Sequence, residues 1–434
     1  MLKNGYGILY FLGLLVVFGH GGTFAADVLS DSEKSLATYI ISHREEQVAD
    51  LKHLVNINSG TMNLSGVRKV GVFFSTELEK LGFVPEWNEM PPEMNRAGHL
   101  FARRKGKQGK RLLLIGHLDT VFPKDSPFQK YERKGGIATG PGINDMKDGD
   151  LVILYALKAL HHIGALDDVT ITVALMGDEE NTGSPISVSR KMLIEEAKIS
   201  DVALAFESGI DNRVTVGRKG ASGWKLTVEG RRAHSAGILS ADTGAGAIYE
   251  MARILNAINT DLMGDPALTM SPALALAGTD VTHDKQASEG KAFGKINVVP
   301  QSATVVGDLR YLTPEQNLHA RSTLANIIKN NLPHTSATVE YWEYYPSMAP
   351  TSGNMALAEI YQQASKDLGL GAVGILDPLK RGAADISHVA KHVDSLDGLG
   401  GMGGGDHTVQ EFQDLSLLPI ATQRAALMIY RLTR

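Results

Sequence analysis

Apolar residues recur at two periods along the chain, and the period changes from segment to segment. From Asp31 to Leu54, apolar and charged residues alternate at helical spacing, with Ser30 or Asp31 available as N-cap. Val67 to Leu81 predicts a second amphipathic helix. Phe83-Val84-Pro85 opens a strand. Leu100 to Ala102 and Leu112 to Ile115 are short apolar runs of the kind a strand shows when both its faces are covered. Gly149 to Ile163 predicts a helix. Asp168 to Met176 (DVTITVALM) is a β-branched strand, and Asp201 to Phe206 a shorter buried one. Strands alternating with helices predict an α/β layer on a mostly parallel mixed sheet flanked by helices.

The pattern changes after Ser208. Arg213 to Gly230 shows alternating strands and turn glycines, and Asp242 to Ile258 is a helix rich in Ala and Gly. Ile296 to Tyr311 reads as strand, turn and strand. Glu315 to Asn331 is a helix and Ala337 to Tyr344 a strand. This is a smaller α+β unit with its own order, inserted at 213–344 between 26–212 and 345–434. From Asn354 the chain returns to helix (to Leu368), strand and a final helix, Asp414 to Arg431. Before all of this, Lys3, an apolar core from Ile8 to Phe18 and Thr23-Phe24-Ala25 match a secretory leader, residues 1–25, cleaved after Ala25. The apolar run falls short of the ~20 residues a spanning helix needs. The mature chain is therefore expected in the periplasm or outside the cell, with no membrane contact.

Composition narrows the function. The 434 residues suggest two or three domains at about 150 residues each. Hydrophobic residues at 43% and charged residues at 21% exclude a disordered chain and a polytopic membrane protein. Lys+Arg at 43 against Asp+Glu at 48 leaves a net charge of −5, with no field to draw in nucleic acid. There is no cysteine, hence no disulfide, thiolate ligand or cysteine nucleophile. A bound transition metal would have to use His, Asp and Glu.

Five clusters could supply them. Leu112 to Ile115 runs into Gly116-His117-Leu118-Asp119, where alternation puts His117 and Asp119 on one side and lets a carboxylate fix the imidazole tautomer. Gly140-Pro141-Gly142-Ile143-Asn144-Asp145 leads glycines up to an acid at a helix start, able to bridge two metals. Asp178-Glu179-Glu180 follows an apolar strand directly, and a dication would absorb the repulsion of three acids. Glu207 stands at the tip of another strand. Gly403-Gly404-Gly405-Asp406-His407 delivers a histidine from a glycine-rich turn. Each has an ordinary reading too: a strand-end histidine, an N-cap aspartate, a solvated acidic loop, a strand-end acid, a flexible linker. All five fall at strand ends or glycine loops of the α/β part, where active sites of such folds lie.

With GHLDTVFP, GPGINDMKDGD, GDEENTGS, FESG, GRRAHSAG and GGGDHT in this order, the chain resembles the M20 dizinc peptidases, and within them the glutamate carboxypeptidase (carboxypeptidase G2-like) branch. The resemblance spans 26–434. It implies two Zn2+ per subunit, with His117 and His407 as terminal ligands, Asp145 as the bridge, and Glu180 and Glu207 completing one zinc each. It further implies Asp119 orienting His117, Glu179 as general base and later acid, and a cis Asp145–Met146 peptide. The inserted unit would be a lid and dimerisation domain, with His234 reaching the partner's site in a homodimer to stabilise the oxyanion. Asn297 and Arg310 would contact substrate. The implied reaction is hydrolysis of the amide bond before a C-terminal amino acid, glutamate in that branch, of a peptide or N-acyl amino acid. An N-acyl-amino-acid deacylase or dipeptidase on the same site is an alternative. A non-catalytic exported zinc-binding homologue is another, and Glu179 beside five ligand candidates argues against it.

The chain departs from the family pattern in three places. Asp148 stands where the family has Gly, and would add charge near the metals or point into solvent. Tyr344-Tyr345-Pro346 stands where members often carry an Arg. Arg381-Gly382-Ala383-Ala384-Asp385 replaces Gly-Gly-Thr-Asp. His161-His162 is expected to decorate a helix end, His283 a polar loop, and Arg103 to Arg111 an exposed hairpin turn.

Overall fold

The computed structural model describes residues 28–262, 264–285 and 288–434; the expected leader, 1–25, lies outside them. A six-stranded sheet orders its strands Val84–Asn88, His99–Arg104, Val169–Met176, Gln108–His117, Val202–Ala205, Asp394–Leu396. The last four are mutually parallel, and His99–Arg104 runs antiparallel to both its neighbours. Alternation along Leu112 to Ile115 explains the layers. Leu112 and Leu114 pack into a core with the helix Lys147–His162, while Leu113 and Ile115 pack into a second one with Leu193, Ile386 and Val389. Both faces are covered, which is why these strands carry no polar alternation. Among the described residues, no helix is long and apolar enough to cross a membrane.

A second sheet is wholly antiparallel, in the order Thr269–Gly278, Ser302–Tyr311, Gly220–Gly230, Thr335–Tyr345. Helices Gly246–Leu262 and Pro314–Ile327 bury Ile254, Ile258, Ala320 and Leu324 against its Trp224, Leu226, Val305 and Leu309, forming a separate core. The architecture is an α/β layer carrying a smaller α+β unit.

Several expected elements shift. The helix read over Asp31 to Leu54 is two, Asp31–Ser42 and Arg44–Val55, broken at His43. The His43 ring stacks on Tyr39 with centroids 3.9 Å apart, and its Nδ1 lies 2.8 Å from the Tyr39 carbonyl. Ser30 is the N-cap of the first, in a reciprocal pair with Glu33. The first half of Ile296 to Tyr311 is not a strand; Val298 makes only an isolated bridge, with His234. Arg103 to Arg111 is no hairpin, because Val169–Met176 lies between the strands it joins. His283 sits in a strand, Asp280–Asp284, paired with Glu289–Phe293.

Candidate active site

The carboxyl ends of the central parallel strands converge. His117 is the last residue of Gln108–His117, Asp178 to Glu180 follow Val169–Met176, and Glu207 follows Val202–Ala205. Asp145 precedes the helix Lys147–His162, and its peptide to Met146 is cis. His407 arrives from the loop before the last helix with φ +63°, in the left-handed region that few non-glycine residues adopt.

Asp145 is the centre of the arrangement. Its Oδ1 lies 3.0 Å from His117 Nε2, and its Oδ2 lies 3.0 Å from His407 Nε2. Glu207 Oε1 is 3.8 Å from His117 Nε2, and Glu180 Oε2 is 3.2 Å from His407 Nε2. Two sets result, His117 with Asp145 and Glu207, and Asp145 with Glu180 and His407, each with its ligand atoms within 4.8 Å of one another. Nitrogen and carboxylate donors in such sets suit zinc. Glu180 Oε1 is buried without a hydrogen-bond partner, an orphan that an ion would satisfy.

The electrostatics match that donor set. Burial and the Asp145 charge push Glu207 up to about 7. Burial and the Glu207 charge raise Glu179 well above the ordinary carboxylate range. His407 is pushed up to about 11 by its contacts with Asp145 and Glu180. Burial disfavours protonation of His117, but Asp119, Asp145 and Glu207 outweigh it and raise the imidazole well above its ordinary range. Acids are crowded beyond what two histidines balance, and dications would relieve the repulsion.

Asp119 does more than face His117. His117 Nδ1 lies 3.0 Å from the Asp119 main-chain carbonyl and 3.6 Å from its carboxylate. The carboxylate accepts from the backbone amides of Glu179 (3.0 Å) and Glu180 (3.1 Å) and from Thr61 Oγ1 (2.6 Å). It thereby ties the acidic turn to the strand that carries His117. Asp148 does not point into solvent. It is fully buried, and burial raises its carboxyl well above the usual range.

A cleft of about 880 Å³ opens beside the centre. Glu179, Glu180 and His407 line it from the α/β layer, and Arg310, Trp342 and Tyr344 from the inserted unit. Of the other residues predicted from sequence, Asn297 and His234 neighbour one another, Ser235 N donating to Asn297 O at 3.0 Å, but neither lines this cleft.

Two supports have no sequence signature. Buried Glu411 accepts from the amides of Gly142 (2.9 Å), Asn144 (2.8 Å) and Asp145 (3.0 Å), holding the loop that presents Asp145. Only its position four residues after His407 hinted at it. Fully buried Arg190 bridges Asp178 and Asp385, which explains the acid at the end of the Arg381 to Asp385 departure. Its spacing from either acid gives no local cue.

Comparison with known proteins places the chain in a family. The sequence profile of peptidase family M20/M25/M40 matches residues 113–431. Carboxypeptidase G2 from Pseudomonas sp. (strain RS-16) is 30% identical over 394 residues, 88% of this chain and 88% of that protein. Among solved structures, aminopeptidase PepT from Bacillus cereus ATCC 10987 superposes with a TM-score of 0.70 at 17% identity, covering 90% of this chain and 99% of its own. The Bacillus subtilis YXEP protein, a dinuclear metal-binding M20 peptidase, does so with a TM-score of 0.61 at 15% identity, covering 92% and 99%. The chain belongs to the M20/M25/M40 family of peptidases and is a hydrolytic enzyme.

Proposed function

We propose that this chain is an exported dizinc amidohydrolase that cuts the amide bond before the C-terminal residue of a peptide or N-acyl amino acid. The observation that carries the reading is the shared carboxylate, Asp145, standing between two histidine–acid sets. His117, Asp145 and Glu207 would hold one ion, and Asp145, Glu180 and His407 the other. Bound there, the ions would supply a water of lowered pKa and polarise the scissile carbonyl.

The chain's own residues would do the rest. Glu179 belongs to neither set, lines the cleft and carries a carboxyl raised by burial, as suits a group that both takes and returns a proton. It would accept a proton from the attacking water and give it to the leaving amine. Asp119, holding the amides of Glu179 and Glu180, would keep base and ligand at fixed separation. Arg310, on the cleft wall, would grip the terminal carboxylate with its guanidinium fork. The inserted unit, 213–344, would close over the substrate and exclude water. A homodimer would let His234 serve the partner's cleft; in support, His234 does not line the cleft of its own chain. Export rests on the leader pattern of residues 1–25.

The test is turnover by the purified, zinc-loaded protein on N-acyl amino acids and dipeptides, beside Glu179→Gln. The wild type should release the C-terminal amino acid. The variant should lose on the order of 10²–10⁴-fold in kcat while still holding two zinc ions per chain. Substantial residual turnover in the variant rejects the role of Glu179. Bound zinc with no turnover on the whole panel rejects the activity.

A further inference from the structure

The cleft wall contributed by the strand Thr335–Tyr345 is aromatic. Trp342, Tyr344 and Tyr345 all line it, although the last two are neighbours in a strand and would ordinarily face opposite ways. A register shift between Glu343 and Tyr345 removes that constraint and lets both tyrosines reach the same cleft. The indole N–H of Trp342 and the hydroxyl of Tyr345 are already engaged. Trp342 Nε1 donates to the Tyr344 hydroxyl at 2.5 Å, with the rings edge-on at 85°. The Tyr345 hydroxyl donates to the Glu179 carbonyl at 3.0 Å and lies 2.7 Å from Thr182 Oγ1. What these side chains offer a ligand is mainly apolar surface, and Tyr344, whose O–H can still donate, is 45% exposed. Gly223 is part of the construction, since a Cβ there would lie 2.0 Å from the Trp342 ring. Across the cleft stand Pro185, Ile186 and Ala383.

The charged residues of the wall fit one carboxylate better than two. Glu343 is tied to Arg321 and Ser222. Arg310 is held through Nε by Asp308 at 2.7 Å. The remaining cation, Lys285, rests over the Trp342 ring, 4.1 Å from its centroid. An acidic side chain in this space would meet aromatic faces, with Glu179 and Glu180 on the same cleft, and would have to draw Lys285 off the indole.

We infer that the residue released by this enzyme carries an aromatic or other large apolar side chain, seated against Trp342, Tyr344 and Tyr345, while Arg310 takes its terminal carboxylate. This rests on the amidohydrolase reading above. It departs from the glutamate that resemblance implies, and the three rings gathered on one cleft wall are its physical ground.

The experiment measures kcat/KM of the zinc-loaded enzyme for N-acetyl-Phe, N-acetyl-Tyr, N-acetyl-Leu and N-acetyl-Glu, with Tyr344→Ala, Trp342→Ala and Lys285→Ala beside the wild type. Phe and Tyr should exceed Glu by roughly 10–100-fold. Tyr344→Ala, whose side chain is exposed, should lose most of that preference without changing two-zinc content or the folded circular dichroism spectrum. Trp342→Ala should do the same where it folds. Equal rates for Phe and Glu, or a Glu preference lost in Lys285→Ala, overturn the inference and leave the amidohydrolase reading standing. No turnover on any of the four, nor on the dipeptides of the wider panel, overturns both.

Discussion

At Asp145, one carboxylate oxygen faces His117 and the other His407, each at 3.0 Å, so a single side chain joins groups 290 residues apart in the sequence. Around it, second-rank residues set geometry through backbone amides rather than side chains: Asp119 for the Glu179 turn, Glu411 for the Asp145 loop. His99 supports the same turn. Its Nδ1 accepts from Gly177 N at 3.0 Å, and its Nε2 lies 3.1 Å from the Ser189 carbonyl, so it must be neutral with the proton on Nε2. Burial lowers its pKa from 6.5 to about 4. A depressed folded-state pKa means this contribution is present above pH 6.5 and is lost as pH falls from 6.5 through 4, on the order of 3 kcal/mol in all. Denaturant unfolding at pH 7 and at pH 4.5 should therefore show a loss of stability that His99→Gln reduces. An equal loss in the variant would contradict the assignment.

Elements meet closely where the helix Lys147–His162 crosses the end of Val202–Ala205. A Cβ on Gly149 would lie 1.9 Å from the Phe206 carbonyl oxygen, and a main-chain atom cannot swing aside. In an open helix, Gly→Ala gains about 1 kcal/mol. Here overpacking, typically about 1–3 kcal/mol, should outweigh it, and Gly149→Ala should unfold at lower denaturant and bind zinc more weakly. A variant as stable as wild type would show that the helix can shift. The same scale explains what could be read from sequence. Leu112 to Ile115 and Asp168 to Met176 were legible because burial on both faces leaves unbroken apolar runs. The edge strand Thr269–Gly278 was not, because it contains Pro272 and a run of Ala and Leu, 273–277, without β-branched residues, and its conformation comes from pairing with Ser302–Tyr311. The split at His43 turns on a ring stacked against Tyr39, which no periodicity records.

For the molecule as a whole, the α/β layer and the inserted unit divide the work. The α/β layer gathers five ligand candidates at its strand ends, and the inserted unit supplies the opposite wall of the cleft. The ligand candidates were legible because each follows an apolar strand or a glycine turn. The wall was not, because Trp342, Tyr344 and Tyr345 become one surface only through a register shift and a glycine on the neighbouring strand. The central claim is that two ions share Asp145. The most direct test is anomalous diffraction at the zinc absorption edge from crystals grown with zinc. The account predicts two peaks, one among His117, Asp145 and Glu207 and one among Asp145, Glu180 and His407, both weakened or gone in Asp145→Ala. A single peak away from Asp145, or none at full zinc loading, would contradict it.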